Sequence, residues 1–162
     1  HYLVLYSYER RKNMKISTKG RYGLRAMADL AINSTKGHID LKNISIRQQI
    51  SKSYLEQLFS ALKKSNLVKS IKGPQGGYLL AKSVSEITVG DILRALEGNL
   101  SVIDETTLIS EDKSPLKYCI YNNVWVNINN AINEIVDNIT LEFIVNEYKK
   151  LEFNDEPLEY YI

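Results

Sequence analysis

The sequence predicts a mainly α-helical protein that carries one small β-hairpin. Three observations favour this fold class. Apolar residues recur at helical spacing in several stretches from residue 18 onward. Two short runs of β-prone residues flank the glycine-rich stretch KGPQGG at residues 72–77. A long apolar stripe at helical spacing follows in the second half of the chain.

Three helices are predicted in the amino-terminal part of the chain. The first begins at Thr18, a suitable N-cap, and its small and apolar residues repeat three and four positions apart. A short helix follows at 41–49, and a third begins at Ser53, which fits a capping box with Glu56. Almost no spare chain joins the last two helices at 49–51, which predicts a helix-turn-helix arrangement.

The hairpin is predicted from strands at 67–72 and 78–82 with a glycine-containing turn between them. Three helices followed by a hairpin is the order of elements in a winged helix-turn-helix domain. Glycines in the turn allow the hairpin tip to approach another backbone closely, and Lys72 places a cation beside it. The tip is therefore expected to lie against a nucleic-acid backbone or in a minor groove.

After the hairpin we expect one more domain helix, a linker and a long dimerisation helix. Thr88 and Asp91 fit a second capping box, and the helix that follows them ends at Gly98. Residues 99–117 show no clear period. The apolar stripe beyond them is too long for one small domain to cover, so a second copy of the chain is its expected partner. The stripe consists of Tyr121, Val124, Trp125, Ile128, Ala131, Ile132 and Ile135.

A last helix is predicted from Thr140, with inward-facing residues at Leu141, Ile144, Val145 and Tyr148. Residues 1–13 precede Met14 and are interpreted as an upstream leader or an added sequence. The remaining predicted segments are the winged helix-turn-helix domain at 14–98, a linker or effector loop at 99–117, dimerisation helices at 118–151 and an acidic tail at 152–162. The longest apolar runs are far shorter than the roughly 18 residues that span a bilayer, so a cytoplasmic protein without a membrane partner is expected.

The two halves of the chain carry opposite charge, although the net charge is only +2. Residues 1–82 contain 16 Lys and Arg against 4 Asp and Glu, whereas residues 83–162 contain 5 against 15. Cations that neutralise phosphates release condensed counterions and so favour binding to nucleic acid. If the charge is considered alone, a solvated lysine-rich surface is the alternative to a nucleic-acid-binding surface. The placement of the cations must distinguish the two.

Residues at the start of the second helix of a helix-turn-helix reach base edges, while flanking cations hold phosphates. Gln57 matches the donor and acceptor of adenine, and Glu56 can accept from the amino group of cytosine. Each candidate is alternatively a plain surface residue, or a cap in the case of Ser53 and Glu56. The candidates on the reading helix are Lys52, Ser53, Tyr54, Glu56 and Gln57. The candidates for phosphate contacts are Thr18, Lys19 and Arg47.

No arrangement of residues indicates an enzyme. The two histidines are His1 and His38, and neither has a cysteine or a pair of carboxylates near it in sequence that suggests a metal site or a triad. His38 is interpreted as a surface residue. GxxxxGK[ST] and GxGxxG motifs are missing, so a nucleotide loop is not expected. The single cysteine, Cys119, is a candidate redox site, with an inert thiol as the alternative.

Three stretches resemble the Rrf2 family of bacterial winged-helix repressors. They are MKISTKGRYGLRAMADLA from Met14, ISKSYLEQLFSALKKSNLVKSIKGPQGGYLLAK from Ile50, and ITVGDILRALEG from Ile87. The resemblance implies a homodimer whose long helices cross and which reads a palindromic operator in double-stranded DNA, with one helix-turn-helix and one wing per half-site. The DNA-facing residues that it implies are Ser53, Tyr54, Glu56, Lys72 and the stretch Gly73 to Gly77, which includes Gln75 and Gly76.

Cluster-binding members of the family hold iron with three cysteines in the region equivalent to the linker and with a histidine shortly after the third. This sequence has Cys119 alone, and Asn122 stands where that histidine is expected. One thiolate cannot hold a cluster that normally takes four protein ligands. No iron-sulfur cluster and no other cofactor is therefore expected.

The carboxyl terminus resembles the branch of the family that regulates cysteine metabolism together with the enzyme O-acetylserine sulfhydrylase. The free carboxylate on a small apolar end, Tyr161 and Ile162, suits an active site that is shaped for an amino acid. The resemblance implies a contact between this tail and that enzyme, which deletion of both residues should weaken without affecting dimerisation. A tail that packs on its own dimer is the alternative.

The sequence therefore predicts a homodimeric transcriptional repressor, not an enzyme, of cysteine or sulfur metabolism genes. One alternative is a redox or iron-sulfur-responsive regulator that senses through Cys119. Another is an interaction module that regulates an enzyme through its tail. Affinity for one palindrome that falls steeply with salt would distinguish a DNA-binding protein from such a module.

Overall fold

The computed structural model describes residues 16–103 and 114–153 of the chain. In these residues, helices and one antiparallel pair of strands follow each other in the predicted order. The elements are α1 (Thr18–Asn33), α2 (Leu41–Gln48), α3 (Lys52–Lys64), β1 (Val68–Ile71), β2 (Gly77–Leu80), α4 (Val89–Glu97), α5 (Pro115–Ile120), α6 (Val126–Asn138) and α7 (Leu141–Phe153). The predicted mainly α-helical fold with a small hairpin is confirmed.

Helix α1 begins at Thr18, as predicted, but its N-cap is Ser17 and not Thr18. The Ser17 hydroxyl accepts a hydrogen bond from the N–H of Gly20 at 3.4 Å. The carboxylate of Glu97, at the end of α4, accepts from the N–H groups of Ser17 and Gly20 at 2.9 and 3.1 Å. A carboxylate at a helix N-terminus interacts favourably with the helix dipole. The start of α1 is therefore tied to α4.

The hydrophobic core lies between α1, α2, α3 and α4, and the first turns of α7 complete it. In α1 and α3, the apolar residues that predicted the helix point into this core. Fully buried side chains from the five helices include Met27, Ile44, Phe59, Ile92 and Leu141.

The turn between α2 and α3 closes through a residue in the left-handed region. Gln49 has a φ of 54° and follows the last residue of α2, in the manner of an αL helix cap. The Ser45 hydroxyl donates to the carbonyl of Ile50 at 2.6 Å, which holds the turn against α2. The predicted helix-turn-helix is present.

Helix α3 begins at Lys52 with Ser51 as its N-cap. The Ser51 hydroxyl accepts from the N–H of Tyr54 at 3.3 Å. The predicted capping box of Ser53 and Glu56 is wrong, because Ser53 already lies inside the first turn of the helix. Both side chains are exposed, and neither caps the helix.

The β-hairpin, called the wing from here on, comprises residues 68–80. Its strands pair Val68 with Leu80 and Ile71 with Gly77, and both are slightly shorter than predicted. Ile39, in the loop before α2, forms a bridge to Tyr78 through two backbone hydrogen bonds of 2.9 and 2.8 Å. The wing is thereby fixed to the body of the domain on one edge.

Helix α4 has the capping box that the sequence predicted. The Thr88 hydroxyl accepts from the N–H of Asp91, and the Asp91 carboxylate accepts from the N–H of Thr88, both at 3.0 Å. The helix ends before Gly98, whose φ is 82°. Both of its predicted ends are therefore confirmed.

Helix α7 returns to the body of the domain and packs against α1. The N–H of Leu141 donates to the carbonyl of Ile87 at 2.9 Å, and Leu141 and Val145 are buried in the core. Tyr148 was predicted to face inward, but it is exposed and donates its hydroxyl hydrogen to Glu152. The start of α7 thus shares the core of the winged helix-turn-helix domain, although it lies in the segment predicted for dimerisation.

Helices α5 and α6 form one continuous helix from residue 115 to residue 138, joined by a π-helical turn at Tyr121–Trp125. At 1.5 Å per residue this helix is about 36 Å long. It begins at Pro115, inside the predicted linker. None of its residues is buried. Within the residues that the structure describes, no helix has the length and apolar character that crossing a membrane requires.

The side of α6 that faces the rest of the chain is polar. Asn129 accepts from the N–H of Val102 at 2.9 Å. One turn later Asn133 accepts from Arg94 at 2.5 Å, and Asp137 forms an ion pair with the same guanidinium at 2.6 Å. Part of the apolar stripe is exposed on another side of the helix, although an amphipathic helix normally buries its apolar side.

Candidate nucleic-acid interface

Helix α3 presents one continuous polar face to solvent, which we name the reading face. The apolar residues of the helix are buried in the core, and the residues between them at helical spacing point away from it. The reading face consists of Lys52, Ser53, Glu56, Gln57, Ser60, Lys63 and Lys64, all of which are exposed. Four of the residues predicted to contact DNA, Lys52, Ser53, Glu56 and Gln57, therefore lie together on it.

Sequence analysis missed the second half of the reading face. Ser60, Lys63 and Lys64 continue the same helical spacing from Lys52, so extending the period by two turns would have found them. Lys63 also donates to the hydroxyl of Ser70 at 2.5 Å. This contact ties the end of α3 to the first strand of the wing.

Tyr54 holds the start of α3 against α1. Its ring is half-buried and meets the ring of Tyr22 edge-to-face, with centroids 6.1 Å apart. The guanidinium of Arg25 lies 5.4 Å from the centroid of the Tyr22 ring and donates to the carbonyl of Gln48 at 2.5 Å. The orientation of the reading face thus depends on contacts with α1.

The tip of the wing, residues 73–76, requires glycine for two separate reasons. Gly73 has a φ of 114°, and the N–H of Gly76 donates to its carbonyl at 2.9 Å. A Cβ atom on Gly76 would lie 2.3 Å from the carbonyl oxygen of Ile71. Lys72 and Gln75 are exposed beside this turn. The tip therefore has no side chains at its two glycines and lies next to the cation of Lys72.

A shallow cleft brings the tip of the wing and the start of α3 together. Lys52 and Glu56 line it from the helix, and Gly73, Pro74 and Gly76 line it from the wing. The ammonium of Lys52 lies 3.9 Å from the carboxylate of Glu56, and both side chains are well exposed. Such a pair is weak in water, so either partner can exchange it for a ligand group.

The reading face and the wing together carry a positive net charge. Residues 16–82 contain 12 Lys and Arg against 3 Asp and Glu. Of these three carboxylates, Asp29 is buried, Asp40 caps α2 and lines the cleft, and only Glu56 belongs to the reading face. Against Glu56, the reading face and the wing carry five exposed lysines, Lys52, Lys63, Lys64, Lys69 and Lys72.

Thr18 and Lys19, two predicted phosphate contacts, are exposed in the first turn of α1. The hydroxyl of Thr18 accepts from the guanidinium of Arg21 at 3.2 Å, which adds a third polar group at this end of the helix. None of these residues lines the cleft. They form a separate polar group on α1.

Arg47, the third predicted phosphate contact, is paired with a buried carboxylate of its own chain. Its Nε and Nη2 atoms donate to the two carboxylate oxygens of Asp29 at 2.9 and 2.6 Å. Gln48 donates to the same carboxylate at 2.7 Å. The hydrogen bonds with Asp29 raise the pKa of Arg47 above its usual value. Two guanidinium nitrogens are therefore occupied, and the phosphate contact stays a prediction for the remaining one.

The predicted dimerisation residues are partly or fully accessible. In the stripe, Val124, Ala131 and Ile135 are exposed, and Tyr121, Trp125, Ile128 and Ile132 are half-buried. Cys119 is exposed on α5, where the side-chain amide of Asn123 donates to its carbonyl at 2.8 Å. The predicted tail contacts, Tyr161 and Ile162, lie outside the described residues.

A helix-turn-helix with an exposed reading face next to a glycine-tipped wing defines a winged helix-turn-helix protein. Comparison with known proteins narrows this class. The family model Rrf2, described as an iron-dependent transcriptional regulator, matches residues 16–147. The chain therefore belongs to the Rrf2 family of transcriptional regulators, and the resemblance noted in the sequence is confirmed.

Individual relatives agree with this assignment. The chain is 45% identical over 129 residues to the HTH-type transcriptional regulator CymR of Bacillus subtilis, which covers 80% of this chain and 88% of that protein. It is 41% identical over 143 residues to the HTH-type transcriptional regulator IscR of Pectobacterium carotovorum, which covers 88% of this chain and 85% of that one. These relatives are transcriptional regulators, which confirms the prediction that the chain is not an enzyme.

Solved structures show the same relationship. The structure of B. subtilis CymR, described as the global cysteine regulator, matches with a TM-score of 0.69 and 43% identity over 82% of this chain and 97% of that one. The IscR of T. potens matches with a TM-score of 0.68 and 39% identity over 88% and 93%. The winged helix-turn-helix fold is therefore shared with both kinds of regulator.

The donor set of this chain does not fit an iron-sulfur cluster. Cys119 is the single cysteine of the sequence, whereas clusters are normally held by four protein ligands. In the described ranges 16–103 and 114–153, no group of three His, Cys, Asp or Glu side chains is arranged to hold a metal ion. We derive no function that depends on iron from these residues.

Proposed function

We propose that this regulator is a homodimeric repressor that binds a palindromic DNA operator through its reading face and its wing. The observation that carries the proposal is the cleft in which the start of α3 and the tip of the wing meet. The start of α3 is the part that enters the major groove in helix-turn-helix proteins. A glycine-containing tip with Lys72 beside it is suited to lie along the phosphate backbone.

The polar groups on the reading face suit recognition of bases. Gln57 offers a donor and an acceptor for adenine, and Glu56 offers an acceptor for the amino group of cytosine. Lys63 and Lys64, one to two turns further on, are suited to hold phosphates. In this arrangement the first turns of α3 read the sequence, and its last turn and Lys72 position the protein.

The partly exposed apolar stripe of α6 supports a dimer. Asn129, Asn133 and Asp137 face the chain's own domain, and three residues of the stripe are exposed on another side of the helix. Ile135 is 62% exposed and Val124 is 40% exposed. A long helix with an uncovered apolar side is suited to pair with an identical helix. Two copies related by a two-fold axis would present two reading faces, which matches a palindromic site.

The proposed targets are genes of cysteine or sulfur metabolism. Support comes from the 45% identity with CymR and from the description of its structure as a global cysteine regulator. We further propose that the regulator works without an iron-sulfur cluster, because its single cysteine cannot supply the ligands. Sensing through Cys119 has no support beyond the exposure of this residue, and the contact of Tyr161 and Ile162 with O-acetylserine sulfhydrylase stays a prediction.

Selection of genomic DNA fragments by the purified protein, followed by sequencing, tests the proposal. We expect one palindrome with half-sites about one or two helical turns apart. Affinity for it should fall by orders of magnitude between about 50 and 200 mM salt. Gln57→Ala should relax the preference at one base position, whereas Lys72→Ala should weaken binding to all sequences and lower the salt slope by about one.

Lys149→Ala is a matched control, because it removes the same charge from the exposed end of α7. It should leave both affinity and salt slope unchanged. Retention of random fragments without a shared palindrome, or equal losses with Lys149→Ala and Lys72→Ala, would contradict the proposal.

A further inference from the structure

His38 contacts the tip of the wing from outside the hairpin. It is an exposed residue in the loop between α1 and α2, as the sequence suggested. Its Nε2 atom lies 2.5 Å from the backbone carbonyl oxygen of Gln75. A carbonyl oxygen can only accept, so Nε2 must carry the hydrogen in this contact. The loop before α2 therefore donates a hydrogen bond to the outermost peptide of the wing.

The residue after His38 fixes the base of the wing in the same way. Ile39 exchanges two backbone hydrogen bonds with Tyr78, of 2.9 and 2.8 Å. The two backbones are so close at this point that a Cβ atom on Gly77 would lie 2.5 Å from the Ile39 carbonyl oxygen. The Tyr78 ring in turn packs on Phe59 of α3, with centroids 4.8 Å apart. The base of the wing is thus locked to the reading helix.

Unlike the base, the tip of the wing is not held in place by packing. Residues 72–75 are exposed, and glycines at 73 and 76 give the turn more conformational freedom than other residues would. A loop that must be ordered on binding lowers affinity by the conformational entropy that it loses, and a contact that orders the loop in the free protein reduces this loss. The His38 hydrogen bond is placed to do this.

We propose that His38 is a positioning residue for the wing: it holds the Gln75 peptide so that the tip is ordered before DNA arrives. This inference rests on the proposed function, since it concerns how the wing engages DNA. The role requires no contact between His38 and DNA. It requires a side-chain N–H that reaches the Gln75 carbonyl as Nε2 does. The side-chain amide of glutamine also carries such a donor.

Two variants and two measurements test the proposal. His38→Ala removes the donor, and His38→Gln retains an N–H at a similar reach. For His38→Ala we expect about fivefold weaker binding to the selected operator, which corresponds to one hydrogen bond of about 1 kcal/mol. Amide exchange at Gly76 in the free protein should be faster than in the wild type. His38→Gln should restore both quantities to within about twofold.

Gln75→Ala is the control for the exchange measurement, because it removes a side chain from the tip and keeps the carbonyl that accepts from His38. Its exchange at Gly76 should stay at the wild-type rate. Unchanged exchange in His38→Ala, unchanged affinity, or a glutamine variant as weak as the alanine variant would overturn the inference while the proposed function stands. Failure of the wild-type protein to bind any operator would instead overturn the proposed function.

Discussion

Asp29 and Arg47 show how a buried charge decides which surface cations are available. Asp29 is 3% exposed and accepts hydrogen bonds from both Arg47 and Gln48. Gln48 also accepts from Arg25 through its backbone carbonyl. These contacts attach the end of α2 to α1, directly before the turn that leads into the reading helix. The carboxylate therefore positions α2 and its turn.

Replacement of Asp29 by alanine should destabilise the protein by about 1–3 kcal/mol, because two donors lose a buried acceptor. The value lies below that for a fully buried ion pair, since the Arg47 side chain is 38% exposed and can turn to water. Urea denaturation followed by circular dichroism measures the change. The exposed Glu134→Ala on α6 is the control and should cost less than about 0.5 kcal/mol. Equal costs for both variants would contradict this account.

At the scale of single residues, the sequence indicated the residue types at the site. It did not indicate which other side chains or backbone groups most of them contact. The exposed position of Gln57 and Glu56 on α3 could be predicted because helical spacing from Lys52 is a local property, and their contacts with DNA stay a prediction. The pairing of Arg47 with Asp29 was missed, since the two residues lie 18 positions apart and only the packing of α1 against α2 brings them together. The contact of His38 with Gln75 spans 37 positions and was missed for the same reason.

Among the helices, α4 and α6 form the junction between the winged helix-turn-helix domain and the long helix. Arg94 binds both carboxylate oxygens of Asp137, at 2.6 and 2.9 Å, and also the side chain of Asn133. Hydrogen bonds from Arg94 lower the pKa of Asp137 and raise the pKa of Arg94. The pair is thus a charge-assisted clamp between two elements, although both side chains remain partly exposed.

The clamp should contribute stability at neutral pH and lose it in acid. Because the pKa of Asp137 is lower in the folded protein than its usual value of 3.8, the contribution is present above that value and is lost as the pH falls through the folded pKa. Asp137→Asn should therefore cost about 0.5–1 kcal/mol near pH 7, a value limited by solvent screening. The difference from the wild type should narrow as the pH is lowered to about 3.

Urea denaturation of both proteins at several pH values measures this difference. Glu147→Gln on α7 is a matched control, because it breaks an exposed pair with Lys150 that joins no two elements. It should cost less than about 0.5 kcal/mol at every pH. A constant difference between wild type and Asp137→Asn across this pH range would contradict the assignment.

For the elements, most of the order and many of the boundaries followed from local signals. The capping box of Thr88 and Asp91 and the glycine at 98 defined α4 because caps act within a few residues. The cap of α3 was misplaced, since Ser51 and Ser53 both precede the apolar run and only the turn geometry at Gln49 distinguishes them. The docking of α7 on α1 was not predicted, because no local signal in the sequence indicates where Leu141 packs.

On the scale of the whole molecule, the proposed function is divided between a domain that carries the reading face and the wing and a long helix that pairs two copies. The division predicts that a charge placed on the apolar stripe affects assembly and leaves the domain intact. Ile135→Asp should convert a dimer into a single chain of 18.6 kDa, because burial of an unpaired carboxylate against an apolar partner is strongly unfavourable. Light scattering coupled to gel filtration measures the mass.

Ile46→Asp is the control for this experiment. Ile46 is 67% exposed on α2, about as much as Ile135 at 62%, and it lies outside the stripe. This variant should keep twice the single-chain mass, and both variants should keep the wild-type circular dichroism spectrum. The proposed dimer would be contradicted if the wild-type protein had the mass of one chain. It would also be contradicted if the Ile135→Asp variant kept the mass of two chains.

The partly exposed apolar stripe of α6 has a consequence for how the protein behaves as its abundance changes. A lone copy exposes Val124, Ala131 and Ile135 to water, and the twin of the proposed dimer would cover them. Folding and pairing would then be linked by mass action, so the temperature of unfolding would rise with the protein concentration. Dilution alone would loosen the regulator before any signal reached it.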